Sequence, residues 1–394
     1  MKMIYSKFGN TGKQISKLGF GAARLPEYKI GNSWHLDRET VNNMVMTSID
    51  LGINYFDSGD LYCHGLSELA IAESLSHNGR RNSVYLANKV MPASLNSENT
   101  FRKNLENQLM KLNQDHFDFY YFWGIGKDDF DNMTKYGYIE DAKRAKKDGL
   151  IDHIGFSFHD SADAMKYIID KCNAFEMVLC QYNILDRTNE EQMAYAKEHG
   201  LGVLVMSPLA GGRLVNPHKM LHNDWSDLDA LSIEIAMRFV LSNKSVDCTL
   251  SGFSDINMVK ENVGYISQCS AMSQEELDRV SAMVSQLSKF SDLYCTGCNY
   301  CQPCAMGIDI SRYFNAYTLS NVYRLNKSAF DDFLAMQRES DFIGAEKCIQ
   351  CYKCVERCPQ KIDIPKKLVK VDRYLNKLVR FYDFMKKLDD NQEG

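Results

Sequence analysis

Eight of the 13 cysteines in this chain lie between Cys295 and Cys358, and this crowding constrains the fold more than any other feature. The other five are scattered over the first 290 residues. The N-terminal segment has no apolar core of the kind that directs secretion, so we expect a cytoplasmic protein. Disulfides are rare in that reducing compartment, and clustered thiols there point to bound metal.

The cysteines form two groups of four with different spacing. The first group consists of Cys295, Cys298, Cys301 and Cys304. The second group consists of Cys348, Cys351, Cys354 and Cys358. The second group is followed by Pro359 and has the spacing of bacterial ferredoxins, in which three thiolates hold one [4Fe–4S] cube and the fourth binds the other cube. In the first group, two residues rather than three separate the third cysteine from the fourth. Ala305 stands where the second group has its proline.

Exchange of the fourth ligand between the groups gives two ligand sets. One cluster would take Cys295, Cys298, Cys301 and Cys358. The other would take Cys348, Cys351, Cys354 and Cys304. Two zinc sites are the alternative, because zinc also binds sets of four cysteines. Four cysteines in consecutive short steps suit the corners of a cube better than the paired knuckles of zinc ribbons, so we favour two 4Fe-4S clusters.

Composition excludes several other classes of protein. The chain has 394 residues and a net charge of −5, which argues against a nucleic-acid partner because phosphate binding needs a basic face. No apolar run reaches the roughly 18 residues of a membrane span. A length of 394 residues suggests two or three domains.

Short apolar runs alternate with helical patterns over the first 285 residues. Eight candidate strands, from Lys17–Gly21 to Val246–Leu250, alternate with helices and indicate a parallel sheet. Eight such units favour a closed (β/α)8 TIM barrel, since an open doubly wound sheet would normally carry a Gly-x-Gly-x-x-Gly turn. A hairpin around Gly9–Gly12 precedes the first strand and could plug the barrel.

The chain is therefore expected to contain three segments. Residues 1–285 are predicted to form the α/β barrel, and residues 286–365 a small, mainly α-helical dicluster ferredoxin-like domain. Residues 366–394 are predicted to contain a C-terminal amphipathic helix, since apolar residues recur there at three- and four-residue intervals. We expect this helix to dock on its own protein; a helix that binds a partner or a membrane surface is the alternative.

Several motifs at the predicted strand ends resemble those of the aldo/keto reductases. These motifs are Gly52–Tyr62 with Ser67-Glu68, Ala87–Val90, Gly155–Ser157, Gln181–Asn183, Ser207–Gly212 and Glu261-Asn262. With the cysteine module, the chain resembles the branch of that family that carries a C-terminal 2[4Fe-4S] domain of helical ferredoxin type. The resemblance implies a barrel that reduces the carbonyl of a small organic substrate with NAD(P)H.

The resemblance assigns three catalytic groups. Tyr62 would donate a proton to the carbonyl oxygen, Lys89 would favour its phenolate, and Asp57 would hold Lys89 charged and in place. A tyrosine needs such help because its ordinary pKa is near 10. The alternative is that Asp57 and Lys89 form a structural ion pair and that Tyr62 only packs in a loop. Trp123 stands where the family has histidine, and an indole can donate one hydrogen bond but cannot carry a proton.

The cofactor site is only partly retained. The residues at matching positions are Ser157, Gln181, Met206, Ser207, Glu261 and Asn262. Ser157 and Gln181 would hold the nicotinamide amide, whereas Met206 replaces the aromatic residue that stacks on the ring in the family. No arginine or lysine stands where a 2′-phosphate would be bound, so NAD is at least as well suited as NADP.

Hydride transfer moves two electrons together, whereas iron–sulfur clusters move one at a time. Three functions remain open. The barrel could reduce a carbonyl with NAD(P)H while the clusters are structural or relay electrons. The clusters could instead deliver single electrons to a substrate or a flavin in the barrel mouth, with a redox partner protein as donor. Finally, the chain could be a non-catalytic electron carrier or scaffold. The retention of Asp57, Tyr62 and Lys89 argues against this function.

Overall fold

A computed structural model gives the fold of the chain as two compact units. The described residues are 2–31, 33–184, 186–210, 214, 233–268, 270–287, 295, 301–321, 326–358 and 362–390. One unit consists of Met1–Leu209 and Ile233–Arg279, and the other includes Val280–Gly394.

The strands are β1 (Tyr5–Lys7), β2 (Gln14–Ser16), β3 (Leu18–Gly21), β4 (Glu27–Ile30), β5 (Ser33–Leu36), β6 (Tyr55–Asp57), β7 (Tyr85–Val90), β8 (Phe117–Ile125), β9 (Ile151–Phe158), β10 (Met177–Gln181), β11 (Gly202–Met206) and β12 (Cys248–Gly252). Strands β3 and β6–β12 are parallel and close into a barrel, in which β12 pairs with β3. The predicted (β/α)8 barrel is confirmed. Its strands are almost wholly buried because helices cover the outer face, as parallel sheets require.

The helices are α1 (Arg38–Asp50), α2 (Ser67–His77), α3 (Phe101–Leu112), α4 (Lys127–Lys135), α5 (Tyr138–Lys147), α6 (Ala162–Lys171), α7 (Glu190–Glu198), α8 (Ile233–Ser242), α9 (Ile256–Ser267), α10 (Gln274–Leu287), α11 (Ile310–Asn321), α12 (Asn326–Gln337), α13 (Lys353–Glu356) and α14 (Ile364–Asp390). Side-chain caps fix several starts: Asp37 accepts a hydrogen bond from the Thr40 amide at 3.0 Å. Within the described residues, no helix is both long and apolar enough to cross a membrane.

A hairpin closes the amino-terminal end of the barrel, as the sequence suggested. Strands β1 and β2 pair antiparallel, and Phe8 follows β1 with no exposed surface. The Phe8 ring centroid lies 5.2 Å from that of Phe119 and 6.2 Å from that of Tyr55. Gly9 must be glycine, because its φ is +49° and a Cβ would lie 2.3 Å from the Gly202 nitrogen.

Two local features differ from expectation. Strands β4 and β5 form a second hairpin between β3 and α1, in a stretch where we predicted no strand. The sequence pattern predicts a helix over Tyr136–Asp148, whereas α5 begins at Tyr138, because Gly137 precedes it with φ +77° and interrupts the helical path.

The second unit has its own apolar core, which α11, α12 and α14 form together. Tyr313 and Phe314 of α11 are 1% exposed, and Leu368 and Leu375 of α14 are 1% and 0% exposed. The Tyr313 ring lies 5.4 Å from the ring of Phe333 in α12. The apolar side of α14 from Ile364 to Leu375 is thus buried within this unit.

The Phe8 plug yields a prediction about stability. Replacing Phe8 by Ala removes a ring that three barrel strands surround and leaves a cavity, so we expect the free energy of unfolding to fall by about 3–5 kcal/mol. Urea denaturation followed by circular dichroism measures the change. Ile4→Ala, at a 38% exposed position just before β1, is the control and is expected to cost less than about 1 kcal/mol. Equal losses in both variants would show that Phe8 does not plug the barrel.

Candidate active site and cluster pocket

A buried ion pair lies at the carboxyl-terminal end of the barrel. Asp57 is the last residue of β6, and Lys89 lies in the neighbouring β7. Lys89 Nζ lies 2.5 Å from Asp57 Oδ1 and donates a second hydrogen bond to the Ser58 carbonyl at 2.8 Å. The two side chains are 0% and 3% exposed. Barrel enzymes place their chemistry at this end of the strands, so the pair lies where a reaction site is expected.

Burial acts against the charge on both partners. Loss of water raises the pKa of Asp57, and the neighbouring Lys89 ammonium opposes this rise. Loss of water likewise lowers the pKa of Lys89, opposed by Asp57 and Asp60. Asp57 Oδ2 is buried and accepts no hydrogen bond from the residues described. The charged form of Lys89 is therefore stabilised mainly by its hydrogen bonds to the Asp57 carboxylate and the Ser58 carbonyl.

Tyr62 and Trp123 lie over this pair. Tyr62 begins a short turn after β6, and its ring centroid is 4.9 Å from Lys89 Nζ. Trp123 lies near the end of β8, where Gly124 has φ +70° and the pairing with β9 shifts register. The Trp123 ring packs edge-on against Tyr62 at 5.2 Å and lies 5.9 Å from Lys89 Nζ. The structure thus brings all four predicted catalytic residues to one place.

The floor beneath the ion pair contains groups that the motifs did not single out. Tyr55 and Tyr121 share a hydrogen bond of 2.6 Å between their hydroxyls, and both are fully buried. Burial raises the pKa of both hydroxyls. The alternation of side chains along β6 and β8 predicts that both tyrosines point into the barrel. Their hydrogen bond could not be predicted, because it depends on the register of the barrel strands. These two phenols stay neutral and fix the lower wall of the site.

The two residues expected to hold a nicotinamide amide lie on neighbouring strands. Ser157 of β9 and Gln181 of β10 are 1% and 8% exposed, and β9 pairs directly with β10. Ser157 Oγ lies 3.3 Å from His159 Nε2. Gln181 Nε2 donates to Asp186 Oδ2 at 2.6 Å. Both side chains are oriented by protein partners, and such orientation suits residues that present polar atoms to a flat amide.

The remaining predicted cofactor residues are spread over three segments. Met206 ends β11 beside Gln181, and Ser207 follows with φ +57°. Asn262 of α9 is 3% exposed and donates to Ser251 Oγ at 2.9 Å, whereas Glu261 is exposed. Gly211 and Gly212, the last two residues of the predicted Ser207–Gly212 motif, lie outside the described residues.

The start of α9 is already capped by a carboxylate. Asp255 Oδ1 accepts hydrogen bonds from the amides of Asn257 and Met258, at 2.7 and 3.0 Å. A helix start is otherwise a natural anion site, because its first amides have no partner within the helix. The Asp255 carboxylate satisfies these amides and adds a negative charge.

A pocket lined in large part by thiols lies in the second unit. The cysteines that line it are Cys301, Cys304, Cys348, Cys351 and Cys354. Burial raises the pKa of Cys354, and the nearby Cys304, Cys348 and Cys351 thiols raise it further. Cys304 thus lies near three cysteines of the second sequence group, and Cys301, which the prediction assigns to the other cluster, lines the same pocket.

The first ligand set is only partly described. Cys295 and Cys301 are partly buried and pack against the apolar core of this unit, and Cys358 is 8% exposed within that core. Cys298 lies outside the described residues. Cys358 is therefore the most enclosed of the described cysteines in this region, whereas Cys351 is exposed.

The spacing of the thiols separates the two metal alternatives. Tetrahedral zinc with bonds of about 2.3 Å places its sulfurs about 3.8 Å apart. Among the described residues, no three cysteine sulfurs lie within 4.8 Å of one another. A [4Fe–4S] cube separates its ligand sulfurs further, because each sulfur binds a different iron. The described thiols are thus spaced more widely than the ligands of one zinc ion.

A parallel eight-stranded barrel with this site, followed by a thiol-lined pocket, defines an oxidoreductase with an iron–sulfur module. The family model "Aldo/keto reductase family" matches residues 17–284, and the chain belongs to that family. The model "4Fe-4S dicluster domain" matches residues 294–362. Both parts of the resemblance found in the sequence are confirmed.

Individual relatives agree with this assignment. The chain is 26% identical to L-galactose dehydrogenase of Arabidopsis thaliana over 74% of this chain and 97% of that protein. It is similar to the structure of aldo-keto reductase AKR11C1 from Bacillus halodurans, with a TM-score of 0.57, 25% identity and coverage of 72% and 96% of the two chains. An aldo/keto reductase from Klebsiella pneumoniae in complex with NADP and acetate shares the fold, with a TM-score of 0.59, 20% identity and the same coverage.

The buried ion pair yields a prediction that does not depend on activity. Asp57→Asn leaves the Lys89 ammonium buried without a counter-ion, so we expect the free energy of unfolding to fall by about 3–5 kcal/mol. The exposed pair of Arg80 and Asp50, 2.8 Å apart, provides the matched control. Asp50→Asn is expected to cost less than about 1 kcal/mol in the same urea titration. Similar losses in the two variants would mean that Lys89 finds another partner.

Proposed function

We propose that this chain reduces the carbonyl group of a small organic substrate with NAD(P)H. The observation that carries the proposal is the buried Lys89–Asp57 pair, with the ammonium 4.9 Å from the centre of the Tyr62 ring. A purely structural ion pair would gain little from lying under a half-buried tyrosine at the active end of a barrel. The membership in the aldo/keto reductase family supports the same chemistry.

Tyr62 donates the proton in this proposal. As negative charge develops on the carbonyl oxygen, the Tyr62 hydroxyl transfers its proton there and becomes a phenolate. Lys89 stabilises that phenolate by its positive charge, and its two hydrogen bonds to Asp57 and Ser58 leave one ammonium hydrogen for this role. Asp57 keeps the ammonium charged against the cost of burial. Trp123, which packs on Tyr62, orients the carbonyl through its indole N–H.

Ser157 and Gln181 would hold the amide of the nicotinamide, with Met206 and Ser207 beside them. When bound, the nicotinamide supplies the hydride that adds to the carbonyl carbon. Asn262 and Glu261 of α9 would face the adenosine part. The Asp255 carboxylate at the start of α9 disfavours a 2′-phosphate there. We therefore propose that NADH serves at least as well as NADPH.

The second unit would hold two clusters. We propose that Cys304, Cys348, Cys351 and Cys354 bind one 4Fe-4S cluster. We propose that Cys295, Cys298, Cys301 and Cys358 bind the other. When bound, these clusters supply single electrons, which the hydride step itself does not require.

One observation favours a second candidate function. Trp123 and Met206 replace a histidine and an aromatic residue that the family uses in nicotinamide-dependent reduction, so the clusters could instead supply single electrons to a substrate or a flavin. A redox partner protein would then be the donor.

Tyr62→Phe tests the main proposal. Loss of the proton donor should lower carbonyl turnover at least about a hundredfold, the scale of general-acid catalysis. Turnover is measured anaerobically with a set of small aldehydes and ketones, with NADH and NADPH in parallel. Tyr136→Phe, at a 60% exposed tyrosine, is the control and should leave turnover unchanged.

Two outcomes would contradict this proposal. Unchanged turnover in Tyr62→Phe would place the proton donor elsewhere. Reduction by a reduced viologen dye but by neither nicotinamide would support the second candidate function, since a viologen delivers single electrons.

Iron content tests the proposed ligand sets. Anaerobically purified protein should hold about eight irons, and loss of one ligand set should leave about four. Cys304→Ala with Cys351→Ala removes two ligands of one set, so about four irons should remain. Cys304→Ala with Cys358→Ala damages both sets and should leave almost none. Cys180→Ala, a buried cysteine of β10, is the control.

Stoichiometric zinc with negligible iron would contradict the cluster assignment. Similar iron in the two double variants would contradict the exchange of the fourth ligands between the groups.

A further inference from the structure

The turn that carries Tyr62 has a strained backbone. Cys63 and His64, the two residues after Tyr62, have φ of +49° and +56°. Residues other than glycine rarely adopt this left-handed backbone conformation, because their Cβ crowds the backbone. Two such residues in succession are therefore costly. A turn of this kind persists only where neighbouring contacts compensate for the strain.

Part of the compensation comes from the end of the first barrel strand. Cys63 Sγ lies 3.7 Å from the Ala22 carbonyl oxygen and donates to it. Ser67 Oγ, at the start of α2, donates to the same oxygen at 2.7 Å. These contacts hold the inner side of the turn, but neither contacts the His64 side chain.

The outer side of the turn is held by the β4–β5 hairpin. The His64 ring lies flat on the Trp34 ring, with centroids 4.5 Å apart and an angle of 8° between the planes. His64 Nε2 lies 3.7 Å from Glu27 Oε2. Trp34 and Glu27 both belong to the hairpin, which pairs with no barrel strand. The β4–β5 hairpin, which lies outside the barrel, thus contacts His64, two positions after Tyr62.

We propose that the β4–β5 hairpin is a brace that positions Tyr62, and that it acts through the stack of Trp34 on His64. The stack fixes the outer side of the strained turn, while Ala22 fixes its inner side. Between these two supports, Tyr62 is presented to Lys89 and Trp123. Trp34 and His64 are positioning residues in this account, and the inference rests on the proposed role of Tyr62 as proton donor.

The hairpin contains its own control. Tyr28 stacks on His35 across the strands, with centroids 5.7 Å apart and an angle of 24°. Neighbouring strand positions point to opposite faces, so this pair lies on the face away from the pair of Lys29 and Trp34. Tyr28→Ala therefore disturbs the hairpin without removing the contact to His64.

The experiment compares four variants of the full-length, cluster-loaded protein. Trp34→Ala removes the stack from the hairpin side, and His64→Asn removes it from the turn side while keeping a residue that tolerates a left-handed backbone. Trp34→Phe keeps an aromatic ring and serves as the rescue, and Tyr28→Ala is the matched control. Amide hydrogen exchange over residues 59–66 reports the stability of the turn, and steady-state kinetics report the position of Tyr62.

We expect Trp34→Ala and His64→Asn to speed exchange in the turn and to lower kcat about tenfold, with the KM for the nicotinamide little changed. Trp34→Phe should recover most of the turnover, and Tyr28→Ala should match the wild type in both measurements. A merely structural role would alter exchange without separating kcat from KM.

Unchanged exchange in Trp34→Ala would overturn the brace. Faster exchange with unchanged kcat would overturn its role in positioning Tyr62. Absence of carbonyl turnover in the wild-type protein would count against the proposed function instead, and the exchange measurement would still decide whether the hairpin holds the turn.

Discussion

The ion pair between Lys89 and Asp57 is the interaction on which the rest of the site depends. An ammonium and a carboxylate, both almost without exposed surface, are costly to remove from water, and each tolerates burial only because the other is present. The barrel supplies this arrangement by pairing β6 with β7, so that the end of one strand lies beside the middle of the next. The position of the Tyr62 turn, the edge-on Trp123 ring and the neutral tyrosines below all follow from the need to enclose this pair.

Much of this arrangement could be predicted from the sequence because the signals are local or periodic. Eight alternating strand and helix patterns were sufficient for the barrel, and cysteine spacing was sufficient for the cluster domain. The β4–β5 hairpin was missed, since its strands are short and mostly exposed and lack a clear alternation of apolar residues. The stack of Trp34 on His64 joins residues 30 positions apart, so no local pattern predicts it. The left-handed φ of Cys63 could not be predicted either, because cysteine usually avoids that backbone conformation. Contacts of this kind arise only once the barrel has brought distant loops together.

The two units of the chain suit different kinds of electron transfer. In the proposed function, the barrel site supplies a proton donor, an ammonium that tunes it and side chains that hold the nicotinamide amide, which are the requirements of a two-electron hydride step. The cysteines of the second unit suit one-electron centres, and they differ in burial: Cys351 is exposed, whereas Cys358 lies in an apolar core. Because solvent exposure and burial tune cluster potentials, two cubes held by such different ligands would not be equivalent.

The replacement of histidine by Trp123 shifts the burden of proton transfer onto one pathway. An imidazole beside a carbonyl can either donate a hydrogen bond or deliver a proton, whereas an indole can only donate the hydrogen bond. In the proposed mechanism, every proton that reaches the substrate oxygen then comes through Tyr62, and Lys89 stabilises the phenolate left behind. Burial lowers the pKa of Lys89, so the ammonium is poised to share its proton with that phenolate more readily than an exposed lysine would. The single pathway explains why the position of Tyr62 over Lys89 matters so much here, and why a strained turn with supports on both sides is worth its conformational cost.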